Sequence, residues 1–234
     1  MLDMKPTKQK DQLFEQVARI GKATSSPKRL ELLELLAQSE KSVDQLAQEA
    51  GIGIKLTSAH LKVLRESHLV KTRKEGKFVL YRLSGQDVAG LWVTMRELAE
   101  NHLAELTLAL KEVSSEPDKL TAYDRQSLLQ QAIRGEIIVL DVRPSDEYLN
   151  GHLPFARSIP LAELEQRIEE LPKDFPIVAY CRGPFCLMSA TAQDLLKTKG
   201  YSVQTLSDGI CEWQAAGMPL HPHHATPHRA EVAQ

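Results

Sequence analysis

The 234 residues hold 29 Lys and Arg against 31 Asp and Glu, a formal net charge of −2, with 42% hydrophobic residues and three cysteines. That length predicts two domains of ordinary size, and so few cysteines, an odd number, exclude a disulfide framework. No stretch approaches the roughly 20 apolar residues of a membrane span, and the first twelve residues lack a signal core, so the reading is a protein of a reducing cytoplasm with no membrane partner.

The charge is unevenly spread. Residues 1–112 carry 18 bases and 15 acids, whereas 113–234 carry 11 and 16. Between Lys55 and Arg82 eight bases face two acids, a local excess suited to a polyanion.

In chain order, Leu13, Phe14, Val17, Ala18 and Ile20 form a helical stripe. Ser26-Pro27 opens a second helix containing Leu30, Leu32, Leu33, Leu35 and Leu36. Ser42 to Ala50 reads as a short helix with Ser42 as cap and Gln45 three residues on, the capping-box spacing. Gly51-Ile52-Gly53 supplies a turn, and Ile54 to Ser67 a further helix with Leu61, Val63 and Leu64 on its buried side. A short helix, a glycine turn and a second helix make a helix-turn-helix. Leu69 to Arg73 and Phe78 to Leu83 then alternate as strands around Lys74-Glu75-Gly76-Lys77, a hairpin with a basic tip.

That order, with Ser58-Ala59-His60-Leu61-Lys62-Val63-Leu64, Leu69-Val70 and Tyr81-Arg82-Leu83, resembles the ArsR family of winged-helix repressors over roughly residues 11–110. A helix entering the major groove needs short polar and basic side chains near its N-terminus. Lys55, Thr57, Ser58, His60 and Lys62 fit this need, Ser58 and His60 at the family's DNA-reading positions, while Arg73, Lys74 and Lys77 of the wing suit phosphates. The implied partner is a double-stranded DNA operator.

Ser84 to Leu110 reads as one long helix with apolar residues spaced near 3.5, including Val88, Leu91, Trp92, Met95 and Leu98. Such spacing suits lengthwise packing against a partner, and with the resemblance it implies a homodimer. Metal-sensing relatives place cysteines before the turn, but residues 41–48 have none. Glu100, His102 and Glu105 read as a solvated face rather than a zinc site, so neither a metal nor a cofactor is expected.

Residues 113–121 are polar with a proline and read as a linker, dividing a DNA-binding and dimerisation domain (1–112) from a second domain (122–221) and a polar, histidine-rich tail (222–234) predicted to be disordered. Asp124 is placed as a cap for a helix to Ile133. Ile137 to Val142, Pro176 to Tyr180 and Ser202 to Leu206 read as buried strands between helices, hence a parallel sheet covered on both faces.

Two of the three cysteines stand in Tyr180-Cys181-Arg182-Gly183-Pro184-Phe185-Cys186, at the end of a strand and before a helix from Leu187 to Lys199. In that place backbone N–H groups and a positive helix end favour an anion, Arg182 adds a charge and Gly183 permits a tight loop. A partly ionised thiol is expected at Cys181. Asp141 and Arg143, at a neighbouring strand end, read as a pair bracing loops.

With Asp141-Val142-Arg143, Glu147-Tyr148, Gly151-His152-Leu153-Pro154, Asp208-Gly209, Trp213 and Gly217-Met218-Pro219, residues 135–219 resemble a rhodanese domain. The resemblance implies that Cys181 carries a sulfane sulfur as a persulfide, and Cys186 is a second thiol able to attack it. The fold class expected is a mainly helical winged helix-turn-helix followed by an α/β rhodanese-like domain. The functional expectation is a repressor-type regulator sensing reactive sulfur at Cys181 and Cys186, its donor a polysulfide, thiosulfate or persulfide. Two alternatives stand beside it: a sulfurtransferase with an attached DNA-binding domain, and a metalloid-responsive repressor in which Cys211 joins the other thiols.

Overall fold

The computed structural model describes residues 5–113, 119–120 and 125–221, and its packing divides the chain into two compact units, Met1–Met95 and Arg96–Gln234. The first holds α1 (Lys5–Thr24), α2 (Pro27–Gln38), β1 (Lys41–Ser42), α3 (Val43–Glu49), α4 (Ile54–Glu66), β2 (Val70–Glu75), β3 (Phe78–Leu83) and the start of α5 (Gln86–His102). Pro27 stands in the first turn of α2, where a missing N–H costs nothing. Ser42 caps α3 as its spacing predicts. The Gln45 N–H donates to Ser42 Oγ at 3.3 Å, and the Ser42 N–H donates to Gln45 Oε1 at 2.8 Å.

The three strands lie in the order β1-β3-β2, antiparallel. Pairing from Val70↔Leu83 to Glu75↔Phe78 leaves Gly76 and Lys77 as a two-residue turn, and Gly76 takes the positive φ of 58° that such a turn requires. The core of this unit gathers Leu32, Leu46, Leu61 and Leu64, all at 0% exposure. Val63, expected beside them, is 36% exposed. Leu61 and Leu64 are one helical turn apart on the inner face, and Val63 falls off that stripe. On α1 the predicted apolar stripe faces outward: Leu13, Phe14 and Val17 are 70%, 65% and 71% exposed.

The second unit continues α5 from Arg96, then adds α6 (Ala104–Val113), β4 (Lys119–Leu120), α7 (Arg125–Ile133), β5 (Ile138–Asp141), α8 (Ser145–Asn150) and β6 (Arg157–Ser158). After these come α9 (Leu161–Arg167), a 3-10 turn (Ile168–Glu170), β7 (Ile177–Tyr180), α10 (Met188–Thr198), β8 (Val203–Leu206) and α11 (Ile210–Ala215). The single long helix expected up to Leu110 breaks at Leu103. Asn101 and His102, weak helix formers, precede the break, and the Thr107 hydroxyl donates to the Glu100 carbonyl across it at 3.2 Å. Inside the stretch read as linker, Lys119 and Leu120 pair with Thr205 and Leu206 as an edge strand. Asp124 and the tail from Pro222 lie outside the described residues.

All five strands run parallel in the order β4-β8-β7-β5-β6. Every residue of β5 and β7 is buried, the mark of a sheet covered on both faces. Alternation assigns Leu140, Ile177 and Ala179 to one core with Leu164 and Leu196, and Val139, Val178 and Tyr180 to another with Leu128 and Trp213.

Two substitutions on α4 check this packing. Leu64→Ala should cost about 2–5 kcal/mol, and Val63→Ala about 0.5 kcal/mol or less. Urea unfolding followed by circular dichroism reads both, and equal losses would contradict the assigned faces.

Candidate thiolate site and nucleic-acid interface

Cys181 follows the last residue of β7 directly, at the carboxyl edge of the sheet, where open α/β sheets hold ligands. Its side chain is buried at 1% exposure, while Cys186, five residues on, is half-buried. The loop between them is closed by the Cys186 N–H donating to the Gly183 carbonyl at 3.0 Å. Gly183 takes φ of 147°, a conformation that side-chain-bearing residues rarely adopt. At Gly209 the reason for glycine is proximity, since a Cβ there would lie 2.1 Å from the Arg182 carbonyl oxygen. The start of α11 therefore rests on the loop backbone.

Burial by itself would raise the Cys181 thiol. Hydrogen bonds from the Cys186 thiol, the Ser189 hydroxyl and the amides of Ser189 and Gly183 outweigh that cost and bring the pKa down to about 6. Ser189 Oγ is 3.3 Å from Cys181 Sγ, and its amide belongs to the first turn of α10, so the sulfur sits at a helix N-terminus. Cys186 moves the other way: its hydrogen bond to Cys181, burial and the neighbouring thiolate all raise it. The two thiols thus shift in opposite directions, Cys181 toward its ionised form and Cys186 toward its protonated one.

Arg182 does not supply the charge expected of it. Its Nε donates to both oxygens of Glu147 at 3.0 Å, and Glu147 is completely buried. Hydrogen-bond donors, rather than a guanidinium, ionise the sulfur. Glu147 entered the sequence reading only as part of the rhodanese resemblance and Ser189 not at all, because neither role has a spacing signature. Pro184 is half-buried and Phe185 is 37% exposed, so both form the outer rim.

Next to the loop, Arg143 Nη2 meets Asp141 Oδ2 at 2.6 Å and donates to the Gly151 carbonyl at 2.8 Å. The Tyr180 hydroxyl donates to the same Asp141 carboxylate and accepts from the Leu153 N–H at 3.1 Å. Burial and the Asp141 charge push the Tyr180 phenol up, so it stays a donor. This network ties the ends of β5 and β7 together as the sequence predicted for Asp141 and Arg143. Cys211 is buried in α11. Among the described residues no three His, Cys, Asp or Glu side chains converge to hold a metal ion.

In the first unit, Lys55, Ser58 and Lys62 are exposed on α4 and His60 is half-buried. Burial, then the Arg29 charge, lower the His60 imidazole, which favours its neutral form at pH 7. Thr57 is different: its side chain is at 0% exposure and its hydroxyl donates to the Gly53 carbonyl at 3.2 Å. The expectation that it touches DNA is corrected, since it faces the core and secures the first turn of α4. On the wing, Arg73 pairs with Glu40 and with Glu75 at 2.9 Å, and Glu40 also takes Arg82 at 3.2 Å. Lys74 and Lys77 are exposed at the tip with no ion pair among the described residues, Lys77 lying over the Phe78 ring at 5.4 Å.

Together these parts define a winged helix-turn-helix regulator joined to a thiol-bearing rhodanese-like domain. Residues 26–72 match the profile of "Bacterial regulatory protein, arsR family", and residues 124–216 match "Rhodanese-like domain". The chain is 42% identical to the HTH-type transcriptional regulator Rv0324 of Mycobacterium tuberculosis over 89% of its own length and 91% of that protein's. It therefore belongs to the ArsR family of transcriptional regulators, in a form that carries a rhodanese domain. A protein named sulfurtransferase from Allochromatium vinosum is 33% identical over 42% of this chain and 91% of its own. A solution structure of the homodimeric winged helix-turn-helix domain of Mb0332 from Mycobacterium bovis is 41% identical, covering 41% of this chain and 89% of that one, with a TM-score of 0.39.

Removing the Ser189 hydroxyl tests the thiolate. Ultraviolet titration of thiolate absorbance, taken as the difference from Cys181→Ser, should show a midpoint near pH 6 in the wild type and a higher one in Ser189→Ala. The sign follows from the donor: without it the ionised form loses stabilisation, so more alkaline solution is needed to reach it. A wild-type midpoint in the ordinary thiol range would contradict the site.

Proposed function

We propose that this DNA-binding regulator reports reactive sulfur species, and that it does so through Cys181 and Cys186. The reading is carried by geometry: Cys181 and Cys186 share one loop, and the Cys181 sulfur lies against the first turn of α10, 3.3 Å from Ser189 Oγ, surroundings that lower its pKa. A thiolate is the attacking form in sulfur exchange. Cys181 attacks an outer sulfur of a polysulfide, keeps it as a persulfide and expels the shortened chain. Cys186, once deprotonated, attacks Cys181 Sγ and gives a disulfide with loss of hydrosulfide; where Cys181 has instead kept two sulfurs of the polysulfide, attack on the inner one expels the outer one as hydrosulfide and leaves a bridge that retains one extra sulfur. Either product replaces an anion and a proton donor by a covalent link and changes what the loop amides surround.

On the DNA side, Lys55, Ser58, His60 and Lys62 of α4 read base edges, and Lys74 and Lys77 of the wing meet phosphates. The exposed apolar residues Leu13, Phe14 and Val17 of α1, with Leu98 of α5, Leu103 and Leu108 of α6, support a homodimer that covers them. A twofold dimer reads a palindromic operator with half-sites about 34 Å apart. Such a protein works in the cytoplasm. No described helix is long and apolar enough to cross a membrane.

The likeness to a sulfurtransferase supports a second reading, in which the thiolate turns over sulfur to a thiol acceptor and the DNA-binding part only localises the enzyme. An operator gel shift separates the two. Wild type, Cys181→Ser and Cys186→Ser are compared reduced and polysulfide-treated, with intact mass read in parallel. Sensing predicts a change in wild-type operator affinity of roughly 5- to 150-fold, the span of a typical coupling free energy, that is lost in Cys181→Ser. Sulfur uptake by mass with equal shifts for all samples would select the enzyme.

In the same assay Lys74→Ala and Lys77→Ala should weaken binding to operator and to unrelated duplex alike. Ser58→Ala should weaken the operator only. A loss confined to operator in the lysine variants would show that the wing reads bases.

A further inference from the structure

Beside the thiol pair lies a cavity of about 170 Å³, lined by Gly183, Pro184, Cys186, Ser189 and Thr205 with Leu110, Leu206 and Ser207 at its border. Cys186 opens into it, whereas Cys181 is buried behind. Thr205 stands on β8 with 2% exposure, and its hydroxyl has no hydrogen-bond partner among the described residues. A buried hydroxyl left unmatched costs free energy unless a ligand meets it. None of the side chains that line the cavity is charged.

The cations nearby are already matched. Arg182 is held by Glu147, Arg143 by Asp141 and Arg125 by Asp208 at 2.6 Å. The Glu212 carboxylate, which comes within 3.2 Å of where a Gly183 Cβ would stand, is itself paired with Arg96 at 3.0 Å. A small dianion such as thiosulfate entering here would lose its water and find these guanidinium groups already held by carboxylates, with no charged side chain in the cavity lining to meet it. An uncharged chain of sulfur atoms loses little by leaving water and can accept the Thr205 hydroxyl.

We propose that this cavity is the entry site for sulfur and that it selects an uncharged sulfane-sulfur donor, a dialkyl trisulfide or neutral polysulfane, over thiosulfate. The inference rests on the reading above that Cys181 takes up sulfur. With dimethyl trisulfide the exchange balances as follows. The Cys181 thiolate attacks the central sulfur, forming a Cys181 methyl trisulfide and expelling methanethiolate, which takes the proton from Cys186. The Cys186 thiolate then attacks the same central sulfur and expels a second methanethiolate. The product is a Cys181–S–S–S–Cys186 bridge, in which the two cysteines are oxidised and the donor's two terminal sulfurs are reduced.

The test uses the reduced full chain with equal concentrations of dimethyl trisulfide or thiosulfate, followed by intact mass. Dimethyl trisulfide should add one sulfur less two hydrogens, and faster than thiosulfate adds one sulfur. Thr205→Val, which keeps the shape and removes the hydroxyl, should slow the trisulfide reaction roughly two- to tenfold, the worth of one hydrogen bond. Ser207→Leu, at the half-exposed border, should slow it through the space it fills and keep the circular dichroism of the wild type. Thiosulfate reacting as fast or faster, or Thr205→Val matching wild type, overturns the selectivity while leaving sulfur uptake intact. Failure of both donors to modify Cys181 overturns the uptake reading itself.

Discussion

A cysteine buried between the end of β7 and the first turn of α10 is the constraint around which this domain is arranged. Cys181 is buried, and burial opposes ionisation. What reverses the balance is a set of short-range donors: the Cys186 thiol, the Ser189 hydroxyl and two backbone amides. Each is directional, so the charge survives only while strand, loop and helix keep their places. The parallel sheet supplies that rigidity by burying β5 and β7 on both sides and ending β7 one residue before the sulfur.

The surrounding ion pairs carry a second lesson. A guanidinium next in sequence to a thiolate invites the conclusion that it supplies the field, but Arg182 turns away to a fully buried Glu147. A carboxylate at 0% exposure needs a charged partner, and Arg182 supplies it. Glu147 and Arg182 thereby fix the loop's path, and Asp141, Arg143 and Tyr180 fix the strand ends beneath it. Charge in this domain holds the scaffold, while neutral donors perform the electrostatic work at the reacting atom.

Much of the architecture was readable from local pattern. The capping box at Ser42 and Gln45, the glycine turn and the apolar runs of β5, β7 and β8 each have a short-range cause, and each stands close to where the sequence placed it, whereas the expected hairpin is tighter than its four-residue tip implied, since pairing continues through Lys74 and Glu75 and leaves two residues as the turn. The thiol pair was equally legible, because loop, strand end and helix start are consecutive. What escaped depended on partners distant in sequence or on fine phase. Thr57 turned inward because it lies one turn from Leu61 on the buried face of α4, and Val63 turned outward for the converse reason. Glu147 and Glu40 choose their arginines across 35 and 33 residues, and no periodicity announces that. The break at Leu103 follows two weak helix formers that the apolar spacing does not register, and the strand at Lys119 answers to a distant partner, Thr205.

Glu40 has a consequence of its own. By gripping both Arg73 and Arg82 it removes two cations from the face that the wing turns toward a duplex. Counterions released on association are then set by lysines at the tip and on α4, fewer than the sequence alone suggests, and each phosphate left untouched makes the complex less responsive to ionic strength. A DNA-binding surface built this way leans less on counterion release than its count of basic residues implies.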